Sequence, residues 1–141
     1  MKLVICEKPS VGAAVAAALG VTGKKDGYIE NDKYIISWCI GHLVQLSEAA
    51  AYGEQYRKWS YDSLPILPQE WQYTVAADKG KQFKILKDLM QRSDVSEVVN
   101  ACDAGREGEL IFRFVYHQAG CKKPMRRLWI SSMEESAIKA G

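Results

Sequence analysis

Short unbroken apolar runs alternate along this chain with longer stretches of helical period. Leu3-Val4-Ile5-Cys6 is continuous and rich in β-branched residues, as a strand buried in a parallel sheet would be. Pro9 ends that run. Ser10 is placed to cap a helix reaching Leu19, with Gly20 as its C-terminal stop. That helix is rich in Ala (Ala13, Ala14, Ala16, Ala17, Ala18) and can lie close against a sheet. Residues 28–30, the pair Asn31-Asp32 and residues 33–40 read as a β-hairpin, because Asn and Asp tolerate the positive φ of a tight turn. Gly41-His42 ends its second arm. Residues 48–58 have helical character interrupted by Gly53. Leu64-Pro65-Ile66-Leu67-Pro68 suits neither a helix interior nor a central strand, so 60–78 is expected to be an extended surface crossing.

The second half repeats the alternation. Residues 81–92 form an amphipathic pattern with Phe83, Leu86 and Met90 on one face, Ile85 and Leu89 on its flank, and Lys81, Lys84, Lys87 and Asp88 opposite. Residues 96–102, around Val98-Val99, read as a second buried strand. Residues 106–119 read as a helix with Leu110, Ile111, Phe114 and Val115 inward and Gly120 as stop. Leu128-Trp129-Ile130 reads as a third strand. Ser131 and Ser132 precede a last helix, and Ser132 with Glu135 fits a capping box. Alternating strands and helices predict an α/β domain with a mostly parallel sheet flanked by helices, to which the hairpin near residues 28–40 adds antiparallel strands.

Composition narrows this picture. The 141 residues are 48% hydrophobic and 26% charged, with 19 Lys+Arg against 17 Asp+Glu, as in one folded domain. The near balance excludes a basic tail or an acidic disordered segment but leaves room for a local basic patch. Cys6, Cys39, Cys102 and Cys121 contain no CxxC pair, which disfavours a zinc ribbon or a redox motif. The first three lie in apolar runs and are expected as reduced core residues. The N-terminal apolar run, broken by Glu7-Lys8, is too short for a membrane span, which needs about 18 apolar residues. A cytoplasmic setting is the expectation.

Ligands of open α/β sheets sit beyond the carboxyl ends of the strands. Glu7 and Lys8 follow the first strand; Asp103, Ala104, Gly105, Arg106 and Glu107 follow the Val98-Val99 strand. Two strands therefore deliver acids to one rim. Gly105 suits a tight turn, and the helix beyond it would aim free N–H groups at an anion such as phosphate. Two unit charges ~4 Å apart repel by roughly 4 kcal/mol at an effective dielectric near 20. Carboxylates converging there must share a proton or bind a cation, and hard oxygen ligands without His or Cys point to Mg²⁺. The same residues have plainer readings: Asp103 as a helix cap, Glu7-Lys8 as a solvated pair, Glu107 and Glu109 as partners of the helix dipole, and Glu109 with Arg113 as an i,i+4 pair. His42 after Gly41 reads either as a plain loop residue or as a site residue. His117 reads as surface or core edge. Lys122, Lys123, Arg126 and Arg127 form a basic cluster, either a solvated loop or a DNA-backbone contact. Gly20-Val21-Thr22-Gly23-Lys24-Lys25 lacks the spacing of a nucleotide-binding Walker loop.

The opening Met-Lys-Leu-Val-Ile-Cys-Glu7-Lys8-Pro9-Ser10, the segment Trp38-Cys39-Ile40-Gly41-His42-Leu43, the region from Trp59 through Leu64-Pro65-Ile66 to Trp71, and the box Asp103-Ala104-Gly105-Arg106-Glu107-Gly108-Glu109 together resemble type IA DNA topoisomerases, specifically the topoisomerase III branch. The resemblance spans essentially the whole chain. It implies a Toprim domain, a Rossmann-like α/β unit that binds Mg²⁺, occupying residues 1–141 as the N-terminal fragment of a longer, ATP-independent enzyme acting on single-stranded DNA. It implies an acid/base role for Glu7 beside the scissile phosphate, phosphate contact for Lys8, and metal binding by Glu7, Asp103 and Glu107. Arg106 and His42 enter as supporting phosphate or DNA contacts. The family's cleaving tyrosine lies in a separate domain, and none of the seven tyrosines here stands in a context resembling its motif. The isolated chain is therefore expected to be inactive.

One departure stands out: the second Asp of the family's box is Gly105 here. Water and DNA phosphate are the expected substitutes at the metal, since Glu109, two residues from Glu107 on a helix, would face elsewhere. Other Toprim enzymes (a primase, a nuclease or a repair protein) share the Glu and the acidic box and form the nearest alternative. A phosphoacceptor receiver domain would want paired acids after the first strand rather than Glu-Lys, and a non-catalytic DNA-binding module fits poorly with near-zero net charge.

Overall fold

The computed structural model describes residues 1–58 and 60–141; Trp59 lies outside the described residues. A six-stranded sheet is its spine, with strands in the order 23–25, 28–30, 34–38, 2–6, 97–101 and 125–127. Strand β1 (Lys2–Cys6) is central. It pairs in parallel with β4 (Tyr34–Trp38) on one side and β7 (Glu97–Ala101) on the other, and β7 pairs in parallel with β8 (Met125–Arg127). Strands β2 (Gly23–Lys25) and β3 (Tyr28–Glu30) extend the β4 edge antiparallel. The expected α/β architecture with its added hairpin is the one observed.

The two-residue period of β1 divides the core. Leu3 and Ile5, with Ile35 and Val98, pack against α2 (Gly80–Met90) through Leu86, Leu89 and Met90 and against α3 (Arg106–Gln118) through Ile111, Phe112 and Val115. Val4 and Cys6, with Ile36 and Ala101, face α1 (Pro9–Ala18) and Ile138 of α4 (Glu135–Ala140). Helices thus cover both faces, as a parallel sheet requires. Cys6, Cys39 and Cys102 are buried in these cores, and burial raises the Cys6 thiol above the ordinary thiol range, so these cysteines behave as small core residues.

Several local expectations are corrected. Helix α1 starts at Pro9 rather than after a Ser10 cap: Pro takes the first helical position, where its missing N–H costs nothing, and Lys8 stands at the N-cap. The 31–32 turn uses no positive φ among the described non-Gly residues; the Asn31 side-chain oxygen instead accepts the N–H groups of Lys33 (2.9 Å) and Tyr34 (2.8 Å). Residues 48–58 hold two short 3₁₀ turns on either side of Gly53, which has φ 156°. The 60–78 crossing contains a strand, β6 (Tyr73–Val75), paired with β5 (Val44–Leu46) in a small antiparallel sheet. In α3 the inward face is Gly108, Ile111, Phe112 and Val115, and Leu110 is 41% exposed. The strand after β7 is residues 125–127, not 128–130, and is the fourth parallel strand of the sheet because the second arm of the hairpin, β4, also runs parallel to β1; Trp129 is 68% exposed. Helix α4 begins at Glu135 after Glu134, so no Ser132–Glu135 capping box forms; Ser132 Oγ accepts the Glu134 N–H at 3.2 Å. Residues 23–25 of the glycine-lysine segment form the edge strand β2.

Candidate active site

Two strand-to-helix corners meet at the carboxyl edge of the sheet. Because Cys6 is in register with Ala101, the residues that follow, Glu7-Lys8 and 102–107, leave the sheet side by side. Lys8 occupies the N-cap of α1 and Gly105 the N-cap of α3, and neither helix has a side-chain cap. The first-turn N–H groups of both helices are therefore left for water or an anion.

Glu7 is half-buried, and its Oε2 is a buried oxygen with no hydrogen-bond partner among the described residues. Burial holds its carboxyl above the usual range, helped by the hydrogen bond and charge of Asp103 and then by the charge of Glu107, against an opposing backbone hydrogen bond at Asp103. This is the physics of carboxylates sharing one site. Asp103 is exposed at the end of β7, and Glu107, 77% exposed, lies in the first turn of α3. The structure thus brings Glu7, Asp103 and Glu107 into one electrostatic group.

His42 joins the group from a segment 65 residues away: its Nε2 lies 3.3 Å from Glu107 Oε1. Gly41, at φ 63°, turns the chain there. Lys79, which nothing in the residue pattern singles out, donates to the His42 carbonyl at 3.2 Å. It arrives there because Gln82, buried in the first turn of α2, donates to the Trp38 carbonyl at 2.7 Å and fastens α2 to the end of β4. The only sequence signal was a polar residue inside an otherwise apolar helix face. Lys8 and Arg106 are exposed and form no ion pair among the described residues, so both cations are available to a ligand.

Two readings of the acidic box change. Gly105 has extended backbone with φ −123°, and a Cβ there would meet nothing within 4 Å; its conformational freedom is unused, and the space for an Asp is open. The glycine the loop does require is Gly108, whose Cβ would sit 2.3 Å from the Asp103 carbonyl oxygen. Glu109 faces away from the acidic group, as its spacing predicts. Its Oε1 accepts from Arg113 at 2.8 Å, and its Oε2 accepts from Asn100 at 2.9 Å and lies 3.2 Å from Arg127. The basic cluster at 122–127 divides similarly: Arg126 pairs with Glu97 at 3.0 Å, while Lys123 and Arg127 bond backbone carbonyls.

Among the described residues, no group of three or more His, Cys, Asp or Glu side chains is placed to hold a metal ion together. The donors still fit a hard divalent cation. They are carboxylate oxygens, one of them orphaned, and a cation such as Mg²⁺ keeps several waters and needs only one or two protein carboxylates.

Residues 2–133 match the Toprim domain family. The chain is 47% identical over 140 residues to DNA topoisomerase 3 of Shouchella clausii, 45% identical over 139 residues to that of Bacillus subtilis, and 45% identical over 139 residues to that of Staphylococcus haemolyticus. Each match covers 99% of this chain and 19–20% of the relative, so the chain spans about a fifth of the length of these curated relatives. With the acids gathered at the carboxyl edge of a mostly parallel sheet, and the family pattern covering nearly every residue of it, the chain belongs to the Toprim family.

Proposed function

We propose that this chain is the metal-binding catalytic Toprim domain of a type IA DNA topoisomerase of the topoisomerase III class. In this reading it supports single-strand cleavage and religation with a tyrosine supplied from outside these 141 residues. The observation that carries the proposal is Glu7: a half-buried carboxyl with an orphaned oxygen, crowded by Asp103 and Glu107 between two uncapped helix N-termini. A carboxyl whose protonated form is favoured by burial and by neighbouring acids can donate a proton to the 3′ oxygen that leaves when the tyrosine attacks a DNA phosphodiester, and can take it back on religation. The phosphotyrosine conserves the bond energy, so the reaction needs no ATP.

One or two of the carboxylates of Asp103, Glu107 and Glu7, completed by water, would hold Mg²⁺, which when bound supplies positive charge to the phosphate oxygens. Lys8 and Arg106, unpaired and adjacent to the helix N-termini, add cationic donors to the same phosphate. His42 orients Glu107 through their contact. Partners in this reading are single-stranded DNA and the remaining domains of the same polypeptide, in the cytoplasm; no described helix is long and apolar enough to cross a membrane.

Titrating Mg²⁺ into the 141-residue chain and following backbone amides by NMR tests the metal assignment. The amides of Asp103 and Glu107 should shift first. Saturable shifts confined to other parts of the chain would reject it.

A further inference from the structure

We infer that Arg127 and Glu109 are positioning residues that hold the acidic loop in its metal-binding shape, an inference that rests on the metal reading above. Arg127 lies on β8, in register with Asn100 of β7. Its Nη1 donates to the Cys102 carbonyl at 2.8 Å, and its Nη2 donates to the Asp103 carbonyl at 2.9 Å. One guanidinium therefore spans two successive carbonyls of the loop that carries Asp103. A planar fork is pre-organised for this, whereas a Lys ammonium is a compact charge on a flexible stem and fixes the two carbonyls less rigidly.

The fork is itself held. Arg127 Nη2 lies 3.2 Å from Glu109 Oε2. Glu109 is in turn engaged on both oxygens, by Arg113 and by Asn100. Asn100, 2% exposed, also accepts the Cys102 N–H at 3.1 Å through its Oδ1. The loop backbone is thus gripped at the Cys102 N–H, the Cys102 carbonyl and the Asp103 carbonyl. The close seat of Gly108 against Asp103 supports it from the α3 side. The carboxylate of Asp103 takes no part in this grip and stays exposed toward the site. Glu109 has both oxygens committed, so its place in the acidic box serves the loop rather than the metal. Partners of this kind set ligand orientation, and their loss typically weakens metal affinity by about 10–100-fold.

The test compares Arg127→Lys and Glu109→Gln with wild type and with Arg126→Lys. The last is a neighbouring arginine whose ion pair is with Glu97 rather than with the loop. Mg²⁺ affinity is measured on the 141-residue chain well below each melting temperature, with ¹⁵N relaxation of Asp103 and Ala104 recorded without metal. The expected result is a loss of affinity of about tenfold in Arg127→Lys, a smaller loss in Glu109→Gln, no change in Arg126→Lys, and raised loop mobility in the first two alone. Wild-type affinity in both Arg127→Lys and Glu109→Gln would overturn the positioning role while leaving the metal site standing. A wild-type chain that binds no Mg²⁺ would instead remove the metal reading; the relaxation data then decide whether the fork holds the loop, with unchanged mobility refuting it. Should Arg127→Lys fail to fold, Glu109→Gln, which keeps an acceptor for Asn100, carries both measurements.

Discussion

β1 and β7 run side by side, in register from Lys2 and Glu97 to Cys6 and Ala101, and each turns at its carboxyl end into a helix without a side-chain cap. The two corners are nevertheless held in opposite ways. At the β1–α1 corner, Glu7 keeps an orphaned buried oxygen and carries a raised pKa, and Lys8 beside it forms no ion pair among the described residues. At the β7–α3 corner, the backbone is gripped by Arg127 and Asn100 and wedged by Gly108, while the Asp103 and Glu107 side chains remain exposed. In the proposed mechanism, one corner leaves electrostatic stress in place where a proton would move. The other removes backbone freedom where ligand oxygens would keep their positions. Local instability and local rigidity are both compatible with one site, because they fall on different atoms.

The largest expected effect follows from the stressed corner. In the intact enzyme Glu7→Gln should lower strand cleavage by a factor on the order of 10² or more, the usual contribution of a positioned proton donor, with single-strand binding largely retained. The same substitution should raise the melting temperature of the metal-free 141-residue chain at neutral pH, because it removes the charge that burial, Asp103 and Glu107 oppose. Near-normal cleavage, or a lowered melting temperature, would mean that Glu7 is not the stressed group.

The gripped corner should respond in the opposite sense. Gly108→Ala places a Cβ 2.3 Å from the Asp103 carbonyl oxygen and 2.8 Å from its nitrogen. Backbone must move, at a cost of ~1–3 kcal/mol for overpacking of this kind, which urea denaturation would measure. Mg²⁺ affinity should fall with it. Unchanged stability would show that α3 can slide without disturbing Asp103. Gly105→Asp sharpens the contrast from the same loop. A Cβ at 105 meets nothing within 4 Å on extended backbone, so the variant should fold normally and gain at most a few tenths of a kcal/mol as a better N-cap than glycine. It should tighten Mg²⁺ severalfold. Calorimetric titration showing unaltered affinity would mean that this carboxylate points away from the metal.

What the sequence revealed follows this division. The strand ends, and with them Glu7, Lys8, Asp103, Arg106 and Glu107, were legible because a continuous apolar run followed by charge marks where a buried strand leaves the sheet. The grip was hidden. Arg127 reads as one of four basic residues in a loop, and Asn100 as a polar break in a strand, until pairing of β7 with β8 sets them in register. The rotation of α3 was misjudged for a related reason: the helix phase is fixed by Gly108 against the Asp103 backbone, a contact that apolar periodicity does not encode. Lys79 was invisible because its position depends on Gln82 reaching the Trp38 carbonyl across the fold.

The opposite ends of the same two strands supply the reference for ordinary charge chemistry. Lys2 and Glu97 face each other at 3.1 Å where β1 and β7 begin, and Arg126 reaches Glu97 from β8 at 3.0 Å. The Lys2 hydrogen bond first, then the charges of Arg126 and Lys2, hold the Glu97 carboxyl below its usual range. A carboxylate with a depressed folded pKa binds fewer protons folded than unfolded. Its contribution to stability is therefore present above the unfolded value and lost as pH falls through the folded one. Glu97→Gln should accordingly flatten the acid limb of the stability–pH curve by a small amount, since one acceptor lies near two partly solvated cations, and should leave Mg²⁺ affinity unchanged. Glu7→Gln should do the reverse: its stability advantage over wild type should shrink as the pH is lowered and Glu7 takes up its proton. Two acids on parallel, paired strands would then move stability in opposite directions with pH. A common direction for both would show that the carboxyl edge of this sheet is no more strained than its amino edge.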